Sequence, residues 1–509
     1  MNVIPPNFRA AFSGGRERWL IWLLCLAAGW RVFIYSAAFP FFNNVDEQSH
    51  FDLVVKYAQG QPPHGLEKFS TESARYFVMC GSPEYLLTPD RFPGGKFPSP
   101  PWTRPVENIA GQLLPQIAQW ESKTNHESSQ PPLYYAAAGL WMRLGQSCGQ
   151  QDCFLLYWIR FLNVPLAALL VWLGFIAAKI IFPEQIFPRL AVPVLLAFIP
   201  QDVFYSIQND VLSPLCFGAA FICVLRWWQT DTPTPRLALA TALCLVASCL
   251  VKTTNLPAVA VAGAALLFNA RRLATTGKLR NSLAAITLLF FCSAIPIAVW
   301  LLWNRHTSGD FTGSAAKIEL LGWKPKPVIA WLHHPLFTPR GWWVFGSELM
   351  ASFWRGEFVW LGQRLASATA DLFYWISSAL FLTLGALSLI PRTSATELRR
   401  ALWFGFWCCV ASVAFLGLLS VAYDFGNCVY PSREHPYFTS GRLLGSVLIP
   451  FMLLYARGLD RILGWIKNDR PKFFVLAGIV LFVTLSEIVV NRAAFSSPYN
   501  WFHLWLAGS

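Results

Sequence analysis

Long apolar stretches alternate with polar segments along most of the chain. A helix needs roughly 20 apolar residues to cross the hydrocarbon core of a bilayer, and eleven stretches reach or approach that length. A twelfth stretch, 131–144, is too short to cross unaided. The pattern predicts an all-α polytopic membrane protein, a single domain over 1–509 with about 11 transmembrane helices. The predicted spans are 19–39, 154–181, 188–206, 211–228, 236–251, 254–269, 281–303, 371–390, 401–422, 443–459 and 472–490.

Basic residues between these stretches predict the orientation of the chain, because Lys and Arg concentrate in the cytoplasmic loops of membrane proteins. If 131–144 does not cross, all the basic clusters fall on one side of the membrane. If it crosses, every cluster after the first changes side. The charges therefore favour a cytoplasmic N-terminus and an embedded or interfacial helix at 131–144. The clusters are Arg9/Arg16/Arg18, Lys179/Arg189, Arg226/Arg236, Arg271/Arg272/Lys278/Arg280, Arg392/Arg399/Arg400 and Arg457/Arg461/Lys467/Arg470/Lys472.

This orientation places four polar segments on the extracytoplasmic side. They are 42–153, 304–370, 423–442 and 491–509. The first is a large loop that we expect to carry interfacial helices, and the second is another large loop. Any chemistry that these segments share would therefore face the outside of the cell membrane.

Cysteine usage agrees with that orientation. The cysteines outside the predicted spans, Cys80, Cys148, Cys153 and Cys428, all lie in these outer segments. An even number suits an oxidising compartment, where four cysteines allow three pairings. Cys148 and Cys153 are close enough along the chain to close a small loop, and four free thiols are the alternative.

Composition narrows the class of protein further. The chain is 55% hydrophobic and only 13% charged, which is too little charge to cover a soluble protein of this length. Its formal charge of +13 lies mostly in short loops, so membrane topology explains it and no nucleic-acid partner is expected. The sequence contains no dinucleotide-binding glycine motif, no phosphate-binding P-loop and no zinc-spaced Cys/His set.

Candidate chemistry begins directly after the first span. Asp46 and Glu47 are paired acids that can accept a proton from a hydroxyl or hold a divalent cation. His50 lies four residues after Asp46, so a helix places both on one face. The structural alternative is that Asp46 caps a helix running to Gly60 and Glu47 is a solvated first-turn acid. An apolar stripe suited to lying on the membrane follows in the same helix: Phe51, Val54, Val55 and Ala58.

Other charged residues converge on the same predicted face. Asp210 and Lys252 lie at the outer ends of spans, where Lys252 either snorkels to the interface or binds a lipid phosphate. A late span begins at Arg442, and the loop before it contains Arg433 and His435. These side chains either bind a phosphate or form salt bridges within the loop.

Two arginines lie inside predicted spans, Arg31 in the first and Arg160 in the second. A charge within the bilayer is costly, so each is expected to face a cavity or an oppositely charged partner.

Several short motifs resemble the GT-C glycosyltransferases, and more closely a bacterial family of GT-C-like predicted membrane proteins. The resemblance covers about residues 20 to 460. Two motifs depart from the pattern, with Arg355 in place of a glycine and Leu443 in place of a tyrosine. The motifs are Asp46-Glu47-x-x-His50-Phe51, Gln130-Pro131-Pro132-Leu133-Tyr134-Tyr135, Asn209-Asp210, the turn at Lys252, Ser352-Phe353-Trp354 and Gly441-Arg442.

The resemblance implies an inverting transfer of a sugar from a polyprenyl-phosphate donor to an extracytoplasmic lipid, glycan or protein, at a bacterial inner membrane. Asp46 would be the general base and Glu47 a second catalytic acid, and both are candidates for a divalent cation, the only cofactor expected. Lys252 and Arg442 would bind the donor phosphate. The substrate-positioning residues would be His50, Asp210, Arg433 and His435.

Two other functions fit the same composition. A transporter or flippase of a lipid-linked glycan also carries charges within spans, but such proteins often show an inverted repeat and a midplane site. No repeat is visible in the sequence, and the polar residues cluster on one face. A lipid-glycan ligase also needs outer cations and a base, and the sequence does not exclude it.

We predict that the chain does not cross the membrane between residues 42 and 153. Single cysteines introduced near positions 120 and 150 should then react alike with an impermeant thiol reagent added outside. Labelling near 150 from the cytoplasmic side alone would contradict the eleven-span topology and would place Asp210 on the opposite side from Asp46.

Overall fold

The computed structural model describes residues 15–390, 396–466 and 468–508. Three residues of the basic clusters, Arg9, Arg392 and Lys467, lie outside the described residues. Buried apolar side chains from Ile21 to Leu504 form one connected core.

The N-terminal part consists of one long helix and a polar segment of shorter helices. The α-helices are α1 (Gly15–Ala38), α2 (Glu47–Ala58), α3 (Thr71–Cys80), α4 (Val106–Ser122) and α5 (Leu133–Ser147). Short 3-10 helices cover Pro83–Tyr85, Pro89–Arg91, Pro93–Gly95 and Pro101–Thr103. Strands β1 (Glu67–Lys68) and β2 (Thr124–Asn125) pair antiparallel.

The middle of the chain is a run of apolar helices. They are α6 (Asp152–Arg160), α7 (Asn163–Ile181), α8 (Ile186–Ala197), α9 (Ser213–Trp228), α10 (Pro235–Val251), α11 (Leu256–Thr275) and α12 (Leu279–Ser308). The connecting 3-10 helices are Asp202–Tyr205, Asn209–Leu212 and Thr253–Asn255.

A second polar segment and four further long helices complete the fold. The α-helices are α13 (Ala315–Leu320), α14 (Val328–Trp331), α15 (Pro339–Arg355), α16 (Ala368–Leu387), α17 (Thr396–Ala422), α18 (Leu448–Ile462), α19 (Asp469–Val490) and α20 (Arg492–Phe495). The 3-10 helices are Pro335–Phe337, Gly441–Val447 and Trp501–Gly508. Strands β3 (Lys324–Pro325) and β6 (Tyr423–Asp424) pair antiparallel, as do β4 (Val359–Trp360) and β5 (Gln363–Arg364).

Helix starts follow local capping chemistry. The side-chain oxygens of Ser70, Thr234, Thr338 and Ser367 accept backbone N–H groups in the first turns of α3, α10, α15 and α16. Such caps satisfy donors that have no partner within the helix. Proline follows the cap in α10 and α15, where its missing N–H costs nothing.

The helices support a polytopic membrane protein. Among the described residues, nine helical segments are long and apolar enough to cross a membrane, and α8 and α10 are shorter apolar helices. Helix lies in each of the eleven predicted stretches. The short stretch 131–144 also forms a helix, α5, which begins directly after Pro131 and Pro132.

The apolar stripe of α2 contradicts one expectation. Phe51, Val54 and Val55 are fully buried within the protein rather than exposed to a membrane. Helix α5 packs against α2 at Gly139, where an added Cβ would lie 2.9 Å from the backbone nitrogen of Ala58. The stripe therefore packs against protein, because α5 and α3 cover it.

Both arginines within the predicted spans have acidic partners. Arg160 forms a two-pronged ion pair with Glu47, with N···O distances of 2.8 and 2.7 Å. Arg31 pairs with Glu487 of α19 at 2.9 Å, and both side chains also contact the hydroxyl of Tyr205. Each arginine is thus neutralised inside the bundle, as the cost of an isolated buried charge requires.

The four polar segments lie together at one end of the helix bundle. At this end, which we call the Asp46 end, α1 finishes, α10 finishes, and the helices that contain Asp210 and Arg442 begin. The C-terminal tail joins the same end, because the Tyr499 hydroxyl donates to the carbonyl of Pro98. The opposite end carries Glu17–Arg189, Asp231–Lys278 and Asp460–Lys472 ion pairs.

The disulfide differs from the pairing that the sequence suggested. Cys80 at the end of α3 is bonded to Cys153 in α6, so Cys148 and Cys153 do not close a loop. Cys148 is free and exposed, and Cys428 is also free. The bond ties the first polar segment to the start of a long apolar helix.

Candidate functional site

Asp46 occupies the residue before α2 but does not cap the helix. Its backbone has φ of 65°, in the left-handed region, which Asp adopts more readily than most residues. The carboxylate accepts no hydrogen bond from the first turn of α2. It accepts instead from the guanidinium of Arg442 and from Nε2 of His126 at 3.2 Å. The purely structural interpretation of Asp46 as a helix cap is therefore wrong.

Arg442 reaches Asp46 from the beginning of a late apolar helix. Its guanidinium also donates to the Val45 carbonyl at 3.1 Å and to Oε1 of Gln208 at 2.9 Å. Glu357 lies on its other side, with Nε···Oε2 at 3.5 Å. Arg442 thus joins the first polar segment, the turn before α9 and the segment after α15.

The two late motifs explain how Arg442 is placed. The backbone nitrogen of Gly441 donates to the Ser352 hydroxyl at 2.8 Å. A Cβ at position 441 would lie 2.1 Å from the backbone nitrogen of Phe353. Only glycine allows this close approach, which sets the following residue against Asp46.

His126 and Glu127 complete the cluster, and the sequence reasoning missed both. Oε1 of Glu127 lies 2.6 Å from the Lys317 ammonium and 3.5 Å from Nε2 of His126. Its Oε2 accepts from the side-chain amide of Gln130 at 2.5 Å. The position of His126 and Glu127 directly before the Gln130 motif is the signal that could have identified them.

Two of the sequence motifs meet through Gln130. Its Oε1 lies 3.3 Å from Nδ2 of Asn209, which also donates to the Val251 carbonyl at 3.1 Å. The first polar segment is thereby connected to the residue before Asp210 and to the residue before Lys252.

The cluster keeps its carboxylates ionised. Burial opposes the charge of Asp46, but Arg442 and His126 outweigh it and hold the pKa of that carboxyl well below its usual range. Burial likewise opposes the charge of Glu127, yet Lys317 and His126 lower its pKa to about 2. Burial would lower the pKa of His126, whereas the two carboxylates raise it above its ordinary value.

The geometry changes which residues could form the expected divalent-cation site. Asp46, His126 and Glu127 each offer a ligand atom, and these atoms lie within 4.8 Å of one another. Their oxygen and nitrogen donors suit several divalent metals. Arg442 and Lys317 already neutralise the carboxylates, so an ion would have to compete with them. A divalent cation stays a prediction, and among the described residues Asp46, His126 and Glu127 are a group whose geometry could hold one.

Glu47 does not share the surroundings of Asp46. Its side chain is completely buried, and Arg160 and the backbone nitrogens of Phe42 and Ile207 donate to its two oxygens. Four donated hydrogen bonds use the lone pairs of a carboxylate. The expected catalytic and metal-binding roles therefore lack an accessible oxygen, and the geometry gives Glu47 a structural role.

His50 is also enclosed. Its Nδ1 lies 2.7 Å from the Tyr135 hydroxyl, so the first motif contacts the Gln130 motif. Burial lowers the pKa of His50 to about 4, so the ring is neutral at physiological pH. This arrangement supports the packing of α2 on α5, and the substrate-positioning role of His50 stays a prediction.

Asp210 and Lys252 pair with each other at 2.6 Å, at the Asp46 end and buried. The structure brings them into the same polar layer as Asp46 but gives each a partner. The other oxygen of Asp210, Oδ1, is buried and has no hydrogen-bond partner within the described part of the chain.

Arg433 and His435 lie apart from the cluster in more exposed surroundings. Arg433 pairs with Asp424 at 3.2 Å, and His435 pairs with Glu348 at 2.8 Å. Arg433 thus forms an ion pair within its loop and His435 contacts the Glu348 carboxylate of α15, which agrees with the alternative to a phosphate-binding role.

Residues 31–431, more than half of the chain, match a protein family described as "Predicted membrane protein (DUF2142)". The chain belongs to this family. No curated protein matches it.

The family match and the resemblance seen in the sequence motifs agree only that the chain is a membrane protein. It includes most of the cluster in this DUF2142 protein, with Asp46, His126, Glu127 and Lys317, and it ends before Arg442. The GT-C assignment therefore depends on the motifs and on the geometry of the cluster.

The neighbouring acids Asp46 and Glu47 should respond differently to substitution. Glu47→Gln leaves the buried Arg160 without a counter-charge, which should reduce the free energy of unfolding by about 3–5 kcal/mol. Asp46→Asn should change stability much less, because Glu357 remains beside Arg442. Thermal unfolding of the purified full-length variants measures both.

Asp424→Asn is the matched control, since it removes an acid from the exposed pair with Arg433. Exposed ion pairs contribute at most about 1 kcal/mol to the free energy of unfolding. If Glu47→Gln were as stable as this control, Glu47 would not be the structural anchor that its contacts indicate.

Proposed function

We propose that this DUF2142 protein is a GT-C type glycosyltransferase. It transfers a sugar, with inversion, from a polyprenyl-phosphate donor to a hydroxyl of an extracytoplasmic lipid, glycan or protein. The observation that carries the proposal is an ionised, partly exposed Asp46 gathered with Arg442, His126 and Lys317 at one end of an apolar helix bundle. An acid and several cations at a membrane surface suit transfer from a phosphorylated lipid.

Two features support an extracytoplasmic Asp46 end at a bacterial inner membrane. The Cys80–Cys153 disulfide lies at this end, and disulfides persist in oxidising compartments. Basic loops lie at the opposite end, where they fit the cytoplasmic side.

Asp46 is the proposed proton acceptor. As the acceptor oxygen forms its bond to the anomeric carbon, its proton passes to Oδ1 or Oδ2 of Asp46. The bond between the anomeric carbon and the phosphate oxygen breaks, and polyprenyl phosphate leaves with the electron pair. The nearby cations stabilise the negative charge that grows on the leaving phosphate.

Arg442 links the base to the donor. While its guanidinium contacts Asp46, it depresses the basicity of the carboxylate. A donor phosphate that attracts Arg442 would weaken that contact and raise the pKa of Asp46. Donor binding would in this way prepare the base when a sugar is present.

Asp46→Asn tests the reaction directly. Asn keeps the shape and tolerates the left-handed backbone but does not take a proton at neutral pH. Loss of a general base costs about 100- to 10,000-fold in rate, which corresponds to roughly 3–5 kcal/mol in the barrier. The measurement is sugar transfer by purified protein supplied with a polyprenyl-phosphate sugar.

Asp90→Asn, at an exposed acid of the same polar segment, is the control and should transfer at the wild-type rate. Transfer by Asp46→Asn within about threefold of wild type, well under 1 kcal/mol, would rule out Asp46 as the base. Transfer of preassembled lipid-linked glycans alone would favour the ligase alternative.

A further inference from the structure

The cations around Asp46 differ in their access to solvent. The side chains of Lys252 and Arg442 are only 7% and 11% exposed, and each already contacts acceptor groups. Those of Lys317 and His126 are 25% and 29% exposed. An anion that approaches the cluster therefore meets Lys317 and His126 first.

The Lys317 ammonium and the His126 ring nitrogen converge on one oxygen. Oε1 of Glu127 lies 2.6 Å from Lys317 and 3.5 Å from His126. The Lys317 ammonium favours an anionic oxygen at this position, and the His126 ring nitrogen lies near enough to donate to it. A phosphate oxygen has the charge and size to replace that of Glu127. The hydrogen bond from Gln130 to Oε2 would hold Glu127 after the exchange.

The polar segment around Lys317 also exposes apolar side chains that suit contact with lipid. Asp310 fixes the start of α13, because its carboxylate accepts the backbone N–H groups of Thr312, Ser314 and Ala315. Large apolar side chains of the surrounding segment are exposed, as expected for a segment that lies in the membrane interface. They are Phe311, Leu320, Val328, Ile329 and Leu332. In that interface Lys317 would lie at the depth of the phosphate of a membrane-embedded lipid.

We propose that Lys317 and His126 form the subsite that first binds the phosphate of a lipid-linked donor, and that Glu127 occupies this subsite when the donor is absent. The inference rests on the proposed function for the identity of the donor. It adds two phosphate-binding residues to that function and makes Glu127 an internal competitor of the substrate.

Binding of polyprenyl phosphate to the full-length protein in nanodiscs tests the subsite without requiring turnover. Polyprenol of equal chain length serves as the uncharged probe. Wild-type protein should bind the phosphate form about tenfold to a hundredfold more tightly, the range of one charge-assisted hydrogen bond. Equal affinity for both lipids would overturn the proposal.

Lys317→Met should remove most of this preference, and Lys317→Arg should retain it. Lys324→Met is the matched control, because Lys324 is an exposed lysine of the same polar segment. Unchanged preference in Lys317→Met, or an equal loss in Lys324→Met, would contradict a specific role of Lys317. His126→Gln should weaken binding in the same direction and by a smaller factor.

The Glu127→Gln variant tests whether Glu127 competes with the donor phosphate or only supports the structure of the subsite. Removing the competing charge should leave binding of polyprenyl phosphate as tight as in wild type or several-fold tighter. A loss of binding would show that Glu127 supports the site structurally and would contradict the exchange. Inorganic phosphate should compete only weakly, and competition at the affinity of the lipid would exclude a lipid source for the phosphate.

Failure of this inference is distinguishable from failure of the proposed function. If wild type binds polyprenyl phosphate in a Lys317-dependent manner but transfers no sugar, the subsite stands and the transferase proposal fails. If it transfers sugar with Asp46 dependence but Lys317→Met binds normally, the subsite is wrong and the transferase proposal stands.

Discussion

The buried ion pair between Glu47 and Arg160 is the constraint on which the Asp46 end depends. An arginine inside an apolar bundle must be neutralised, and Glu47 is the acid that does so. Arg160 also donates to the carbonyls of Ser36 and Pro40, and thereby joins α6 to the end of α1. The start of α2 is consequently fixed over the bundle, and the residue immediately before it, Asp46, has a defined position.

The second constraint is the neutralisation of Asp46 by side chains from several segments. Its cations come from segments that are far apart in the chain, since His126 precedes α5 and Arg442 precedes α18. Interactions between such charges are stronger in the protein interior than in water. The arrangement both joins the polar segments and keeps the carboxylate ionised, as the proposed role of proton acceptor requires.

The polar segments have structural roles, and the proposed chemistry uses the same segments. The Cys80–Cys153 bond and the contact between Tyr499 and Pro98 hold the first polar segment against the bundle. Lys317 brings the second polar segment to Glu127 through a partly exposed pair. The more accessible Lys317 therefore comes from a different segment than Asp46 and His126, which suits the proposed binding of a lipid-linked donor.

The sequence by itself determined the helices, because an apolar stretch near the length of a bilayer has few alternatives to helix. The number of spans between them also placed four charged residues on one side of the membrane, in one polar layer. They are Asp46, Asp210, Lys252 and Arg442. Tertiary structure decided which acid is accessible. Asp46 and Glu47 are neighbours in the chain, but their side chains point in different directions, so one joins His126 and the other joins Arg160. Tertiary structure also covered the α2 stripe with protein and paired Cys80 with Cys153. The apolar pattern of a helix shows which face is buried but not what covers it, and spacing along the chain does not give distances between segments joined by folding.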